Sequence, residues 1–288
     1  MEAMPVMLAP PPRRVPLSLM LVNLFNLFAQ IGWFVFGFGM IFAWVFLGNA
    51  DFSFVTFRGP HAQSTGRVTS VEATGSSQND QAITANHYEF SVAGSRFSGT
   101  SYTNTDSKSA GDEVTIEYDE KHPERSRIAG MRRGQFGPLV MLVLIFPFIG
   151  ALFIVFATLS GFRRNHLLRH GLLSTGKLLG RERTNVTVND RPVWKLTFEY
   201  LARDGQRHEA TASTTDTARL EDEAQEPLLY DPARPSVAYV LDEAPARPQF
   251  ESNGDLRGRP LPGLLSAIIP GLVIFCNLLV LAYKMDWL

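Results

Sequence analysis

Apolar and polar positions divide the chain into three long apolar runs separated by two polar segments. The central run extends from Phe136 to Phe162 and contains no charged residue; Arg163 follows it directly. About 20 helical residues, at ~1.5 Å each, cross a hydrocarbon core of roughly 30 Å. The central run is therefore long enough to span a membrane with some tilt. If it spans, the two polar segments face opposite sides.

The first apolar run follows Arg13 and Arg14 and continues from Val15 to Leu47 without a charge. It is longer than the apolar core of a signal peptide, about 7–15 residues, and lacks a clear Ala-x-Ala cleavage site. The pattern predicts an uncleaved anchor whose span covers Phe25–Leu47. Residues Pro16–Leu24 then lie at the interface or extend the helix. A tight helical hairpin is the alternative.

Three amide side chains in this run recur at helical spacing. Asn23, Asn26 and Gln30 are three and four residues apart, so they share one face of a helix. Amides in lipid need hydrogen-bond partners and often find them on neighbouring helices. The three residues are therefore candidate helix-packing positions; the alternative is that they meet water at the headgroup level.

The first polar segment reads as short β-strands. Its alternation of β-branched and polar residues predicts four or five antiparallel strands, arranged as a small barrel or sandwich. The predicted strands are Thr65–Glu72, His87–Val92, Arg96–Tyr102, Val114–Tyr118 and Ser126–Ala129, with Ala73–Gln81 as a polar loop.

The second polar segment repeats landmarks of the first at offsets of 110 to 112 positions. The matching pairs are Ser64-Thr65-Gly66 with Ser174-Thr175-Gly176, Glu89-Phe90 with Glu199-Tyr200, Gly94-x-Arg96 with Gly205-x-Arg207, and Tyr118-Asp119…Pro123 with Tyr230-Asp231…Pro235. Four landmarks in the same order predict two diverged copies of one β domain.

The predicted fold class is a membrane protein with three α-helical transmembrane spans and two small all-β extramembrane domains, each barrel- or sandwich-like. The predicted boundaries are an N-terminal tail (1–14), transmembrane helix 1 (15–48), a first β domain (51–133), transmembrane helix 2 (136–162), a second β domain (165–243), a linker (244–260) and transmembrane helix 3 (261–284). Nine Lys and Arg residues near the inner span ends against seven near the outer ends favour a cytoplasmic N-terminus. The first β domain is then periplasmic and the second cytoplasmic.

Composition and motifs narrow the classes of function. A net charge of −1 argues against nucleic acid as a partner. The single cysteine, Cys276, excludes a disulfide within the chain and a Cys-based zinc site. The sequence contains no P-loop, GxSxG, HExxH or Rossmann motif. His166 and His170 share a helix face but have no third ligand nearby in sequence. We predict no catalytic, cofactor-binding or metal-binding residue.

Several short motifs in the first β segment resemble a bacterial membrane-protein family of unknown function. They are Thr65-Gly66-Arg67-Val68, Tyr88-Glu89-Phe90, Gly94, Gly111-Asp112-Glu113-Val114 and Tyr118-Asp119-Glu120-Lys121-His122-Pro123. In that family a small β domain adjoins transmembrane helices, so the resemblance implies a multi-pass protein of the bacterial inner membrane. It implies no catalytic residue.

Two functional hypotheses follow. The first is a non-enzymatic membrane protein whose β domains bind other proteins or envelope components. The second is an accessory subunit of a membrane transporter or protease, which it contacts through the amides at Asn23, Asn26 and Gln30. An enzyme would need a cluster of His, Asp, Ser or Cys side chains that the sequence does not reveal. The expected partners are the lipid bilayer and an unidentified protein.

Overall fold

The helices and strands follow the predicted division into apolar and polar segments. The computed structural model describes residues 8–106, 108–221, 224–244 and 248–285. The helices are α1 (Leu17–Leu24), α2 (Leu27–Phe46), α3 (Ser53–Thr56), α4 (Ile145–His170) and α5 (Pro260–Lys284). The strands are β1 (Ala62–Gln78), β2 (Gln81–Val92), β3 (Ser95–Thr103), β4 (Glu113–Tyr118), β5 (Ser126–Ile128), β6 (Leu172–Val188), β7 (Arg191–Leu201), β8 (Arg207–Thr214), β9 (Glu226–Asp231), β10 (Arg234–Val240), β11 (Gln249–Phe250) and β12 (Leu256–Arg257).

Three helical segments are long and apolar enough to cross a membrane, judged by length and composition. They are Leu27–Asn49, Pro138–His170 and Pro260–Lys284. Each adds a short 3₁₀ turn to an α-helix or is an α-helix alone. The prediction of three apolar helices beside β-structure is confirmed. The chain divides into two units, one formed by Phe38–Pro147 and the other by the residues before and after it.

The first apolar run is two helices, so the prediction of one continuous helix over 15–48 is wrong, whereas the span expected over Phe25–Leu47 corresponds to the candidate span Leu27–Asn49. Helix α1 ends at Leu24, and α2 begins at Leu27. The side-chain oxygen of Asn26 accepts the backbone N–H groups of Phe28 and Ala29, at 3.0 and 3.3 Å. This is an N-cap, which satisfies two donors that a helix start leaves unpaired. The eight residues of α1 reach about 12 Å. A hairpin of two crossings is therefore wrong as well.

The first β domain is a five-stranded antiparallel sheet in the order β3-β2-β1-β4-β5. Its core contains Val68, Tyr88, Phe90, Val114, Ile116, Ile128 and Met131. Strand β1 runs on to Gln78, so the predicted polar loop over 73–81 is wrong. The hairpin turns within two residues, Asn79 and Asp80, whose φ angles are 53° and 60°. Two positive φ angles define the turn that matches strand twist, and Asn and Asp tolerate them.

The second β domain has the same plan, in the order β10-β9-β6-β7-β8. Its long first hairpin also turns on an Asn-Asp pair, Asn189 and Asp190, with φ angles of 49° and 59°. The pairing of β1 with β2 shifts between Val68 and Ser70, and that of β6 with β7 shifts between Leu178 and Gly180. The two sheets therefore agree in strand order, in the turn of the first hairpin and in the position of a register shift near its start.

A second apolar cluster lies on the opposite face of β9 and β10. Its buried members are Leu19, Leu167, Leu168, Leu229, Tyr239, Leu241, Ala244 and Leu256, with Leu8, Val15, Val237 and Phe250 packed against them. The strands β11 and β12 form a short hairpin here, so the expected linker 244–260 is partly folded. The hairpin folds because Phe250 and Leu256 bury apolar surface against this cluster. Residues 245–247 of the expected linker lie outside the described residues. Helix α4 continues to His170, inside the predicted second β domain.

Candidate functional site

The predicted helix-packing amides lie around the break between α1 and α2. The side-chain nitrogen of Asn23 donates to the side-chain oxygen of Asn165 on α4 at 2.8 Å. Asn165 in turn donates to the carbonyl of Met20 at 3.3 Å. Both amides are buried, with exposed fractions of 1% and 8%. This pair ties α1 to the polar end of α4. Sequence reasoning missed Asn165, because it follows two arginines and reads as a surface residue.

Gln30 connects the same break to α5. Its side-chain nitrogen donates to the carbonyl of Phe25 at 3.0 Å and to that of Ser266 at 2.5 Å. Phe25 has lost helical geometry, so its carbonyl gains a partner that the helix no longer supplies. Asn26, the third predicted residue, caps α2 instead of contacting another helix. All three amides thus make hydrogen bonds inside the chain.

Glycines bring α2 and α4 into close contact. A Cβ on Gly150 would lie 2.4 Å from the backbone nitrogen of Phe36, and one on Gly32 would lie 2.9 Å from the Cβ of Phe153. Small residues at such positions let helix backbones approach, which is how helices associate in lipid. The amides and glycines therefore serve the internal packing of the helices.

Arg13 binds the C-terminal end of α4. Its guanidinium donates to the carbonyls of Gly171 at 2.9 Å and Leu168 at 3.2 Å, and its backbone N–H donates to Arg169 at 2.8 Å. The last carbonyls of a helix lack partners and attract a cation. Burial lowers the pKa of the Arg13 guanidinium, since a charge is removed from water. The tail is thereby fixed beside the second β domain.

The first β domain carries an open surface groove of about 610 Å³. We call it the β1 groove; it is lined by Thr65, Gly66, Arg67, Glu89, Phe90, Ser91, Arg96, Gly111 and Glu113. The strand register sets Arg67 directly between Glu89 and Glu113. Arg67 also donates to the carbonyl of Gly111 at 3.0 Å. The groove therefore presents alternating charges on exposed strands.

The corresponding strands of the second β domain repeat part of this charge pattern. Glu89 pairs with Arg96 at 3.7 Å in the first domain, and Glu199 pairs with Arg207 at 2.9 Å in the second. Lys177 lies opposite Glu199, as Arg67 lies opposite Glu89. Exposed ion pairs of this kind add little to stability, typically under ~1 kcal/mol.

A polar array on the first sheet resembles a nucleophile, base and acid in composition. Thr100 Oγ1 lies 2.9 Å from His87 Nδ1, and His87 Nε2 lies 3.8 Å from Glu72 Oε2. The array stands on the outer faces of three strands, and the Glu72 side chain is 69% exposed. Contact with bulk water weakens the charge–charge interactions and hydrogen bonds through which such an array would stabilise a transition state.

The described residues contain no cluster of three or more His, Cys, Asp or Glu side chains suited to a metal. The rings of His166 and His170 lie side by side at the end of α4, with centroids 5.0 Å apart and planes tilted by 36°. Two imidazoles at this spacing supply fewer ligands than a structural zinc site uses. The pair therefore gives no basis for a metal site in this part of the chain.

Comparison with protein families identifies the first β domain. Residues 64–132 match a domain of unknown function, DUF3592. The match extends from β1 to just beyond β5 and covers well under half of the chain. No curated protein and no solved structure matches the chain. The match assigns a known but functionally undefined domain to the region that carries the β1 groove.

Proposed function

We propose that this chain is a non-enzymatic integral membrane protein in which two diverged copies of one β domain act as binding modules on opposite sides of a bacterial inner membrane. The modules bind proteins or other envelope components. The observation that carries this proposal is the packing of the N-terminal tail and the end of α4 on the second β domain.

The tail contacts give the argument for opposite sides. Arg13 caps α4, and Leu8 and Val15 pack against the cluster on β9 and β10. The tail and the second β domain therefore share one side of the membrane. The chain would leave that side through α2 and return through α4, so the first β domain, which lies between them in sequence, belongs on the other side. With the N-terminus in the cytoplasm, the first β domain is periplasmic.

The duplication is supported by details that two unrelated sheets would not share. Thr74 Oγ1 donates to the carbonyl of Ile83 at 2.9 Å, and Thr184 Oγ1 donates to that of Val193 at 2.8 Å. Thr184 lies 110 positions after Thr74, and Val193 lies 110 positions after Ile83. In the first domain, Tyr102 in β3 and Arg132, just after β5, exchange backbone hydrogen bonds of 2.8 and 3.0 Å. Such bonds favour a five-stranded Greek-key barrel over an open sheet.

The β1 groove supports a binding role. Exposed arginine and glutamate side chains on neighbouring strands offer donors and acceptors to a polar partner, and charge complementarity of this kind sets specificity. The alternative, an accessory subunit held through Asn23, Asn26 and Gln30, loses support because these amides bond within the chain. We therefore favour binding through the β domains.

Cysteine labelling in intact cells tests the two-sided arrangement. Cys276→Ala removes the single cysteine, and Ser77→Cys or Thr187→Cys then adds one at matched, exposed positions of β1 and β6. A membrane-impermeant maleimide should label Ser77→Cys in intact cells after outer-membrane permeabilisation. The same reagent should label Thr187→Cys only after the inner membrane has been lysed. Equal labelling of both in intact cells would contradict the arrangement.

Photo-crosslinking tests the binding role separately. A photoreactive amino acid at Ser91, inside the β1 groove, should give a discrete adduct in native membranes. The same amino acid at Ser77, on the same domain but outside the groove, serves as the control. The adduct should disappear when Arg67→Glu and Arg96→Glu reverse the charges of the two arginines that line the groove. Identical adducts at both positions, insensitive to charge reversal, would refute binding through the groove.

A further inference from the structure

A second cavity, of about 360 Å³, lies between the end of α4 and the second β domain. Ser160, Arg163 and Arg164 form its wall on α4, at spacings that place them on one helix face. Thr211, Ser236 and Tyr239 belong to the sheet side. The cavity thus combines two arginines with several hydroxyl groups, and it is separate from the β1 groove.

The two arginines are available to an incoming anion. Arg163 is exposed and Arg164 is half-buried. The guanidinium carbon of Arg164 lies 5.5 Å from the centre of the Tyr239 ring, a cation–π contact that holds the group in place without neutralising it. Within the described part of the chain, neither guanidinium has a carboxylate partner within the 4.0 Å that defines an ion pair.

Tyr239 adds a buried hydroxyl to the cavity wall. The residue is 6% exposed, and its hydroxyl finds no hydrogen-bond partner among the described residues. A buried polar group without a partner is costly, and such groups call for a ligand or ordered water. Burial raises the pKa of the Tyr239 hydroxyl, so the group stays protonated and can act as a donor.

Glu243 is the acidic group of the cavity. It accepts a hydrogen bond from the backbone N–H of Ser213 at 3.2 Å. Burial raises the pKa of its carboxyl, although that bond and the charge of Arg164 oppose the shift. A carboxyl that is more readily protonated repels an anion less. The balance of charge in the cavity remains positive.

We propose that this cavity binds a phosphate group, presented by an anionic phospholipid headgroup. Guanidinium groups match phosphate in geometry and keep their charge in partly dry surroundings. The apolar run of α4 ends at Phe162, so Arg163 and Arg164 lie where headgroups begin. Basic pockets at this depth bind lipid headgroups in other membrane proteins. Free phosphate has the same chemistry but no reason to favour the membrane boundary.

Native mass spectrometry of the full-length protein in detergent tests the proposal. Phosphatidylglycerol is titrated, diacylglycerol serves as the lipid without phosphate, and inorganic phosphate serves as the competitor. At ~1 kcal/mol for each arginine, Arg163→Gln with Arg164→Gln should weaken phosphatidylglycerol binding about 30-fold. Arg169→Gln, which removes an exposed charge from the same helix outside the cavity, should leave binding unchanged.

Each outcome has a consequence. Retention of phosphatidylglycerol that inorganic phosphate does not displace supports the headgroup, whereas displacement by millimolar phosphate supports free phosphate as the ligand. Equal binding of diacylglycerol would mean that the acyl chains alone are bound, and an equal loss with Arg169→Gln would mean that the lipid is attracted by surface charge in general. Either result overturns the site. Arg163→Gln alone, a change at an exposed side chain, should weaken binding about fivefold without altering the melting temperature. An unchanged affinity in this folded variant also overturns the proposal.

Discussion

The two β domains share one strand plan but differ in what covers their last strands. In the first, Glu117 lies opposite Arg127, and the two side chains form an ion pair at 2.8 Å. In the second, the corresponding positions are Leu229 and Tyr239, which lie opposite one another and are buried. The same place in the sheet therefore carries a partly exposed ion pair in one domain and a buried apolar pair in the other.

Burial along the strands shows the same difference. Residues of β4 alternate between exposed and buried over most of its length, whereas all residues of β9 are buried. A strand covered on both faces loses its alternation and becomes continuously apolar. Pro227-Leu228-Leu229-Tyr230 has this composition, and Val114-Thr115-Ile116-Glu117 does not. One strand plan can thus carry either a partly exposed ion pair or an apolar face that packs on a helix.

The largest expected effect comes from exchanging these positions. Leu229→Glu would bury a carboxylate in the cluster formed with Leu167 and Leu168 of α4. We expect a loss of about 4 kcal/mol in local stability, because an unpaired charge in apolar surroundings is among the costliest changes. Hydrogen exchange followed by mass spectrometry should show faster exchange in β9 and β10.

Glu117→Leu is the matched change in the first domain. It removes a partly exposed ion pair, which is worth about 1 kcal/mol or less. Exchange in β4 and β5 should therefore change little. A large loss of protection here, comparable to that of Leu229→Glu, would mean that the two faces are used alike, contrary to the comparison.

Glycine to alanine changes come next in size. A Cβ on Gly66 would lie 2.7 Å from Ile116 Cγ1 and 2.8 Å from the carbonyl oxygen of Glu89, which cannot easily move. A Cβ on Gly176 would meet Leu228 Cδ2, the end of a flexible side chain, at 2.8 Å and Phe198 Cβ at 3.0 Å, but no backbone atom that close. We expect Gly66→Ala to cost about 3 kcal/mol and Gly176→Ala about 1 kcal/mol, measured by hydrogen exchange in each domain. Equal costs would contradict this difference.

The sequence predicted the helices and most strands because their period and length are local properties. It missed the continuation of β1 to Gln78, since a Gly/Ser-rich strand has little apolar signal, and the Asn79-Asp80 turn was the signal that could have corrected it. It also missed the break at Phe25, where Asn26 acts as a cap inside an apolar run. Caps and strand extensions depend on backbone partners that spacing alone does not name.

The candidate sites were harder to predict than the fold. The spacing of Asn23 and Gln30 indicated a packing face, but their partners Asn165 and Ser266 are more than 100 residues away. The β1 groove and the cavity at Arg164 arise from strand register and from the docking of α4. Neither has a sequence motif, because each combines common charged residues from distant segments.

A hydroxyl pair in the core of the first domain gives a smaller effect. Tyr88 and Ser126 are buried and hydrogen-bonded at 2.9 Å, and their counterparts in the second domain are Phe198 and Ala238. Tyr88→Phe should lower local stability by about 1–2 kcal/mol, because it leaves the buried hydroxyl of Ser126 without this hydrogen-bond partner. The double change with Ser126→Ala should recover most of that loss. Additive costs in hydrogen exchange would show that the pair does not act as a unit.

The smallest effect concerns the turns that the two domains have in common. Asp80 and Asp190 have φ angles of 60° and 59°, a conformation that Asp tolerates better than Ala and that glycine adopts without strain. Asp80→Gly and Asp190→Gly should each raise local stability by about 0.5 kcal/mol, and Asp80→Ala should lower it by about 1 kcal/mol. Hydrogen exchange of the hairpin amides measures both. Because the turns are alike while the covered faces differ, the two glycine gains should be equal. Unequal gains would mean that the helix packing against the second domain reaches its far hairpin.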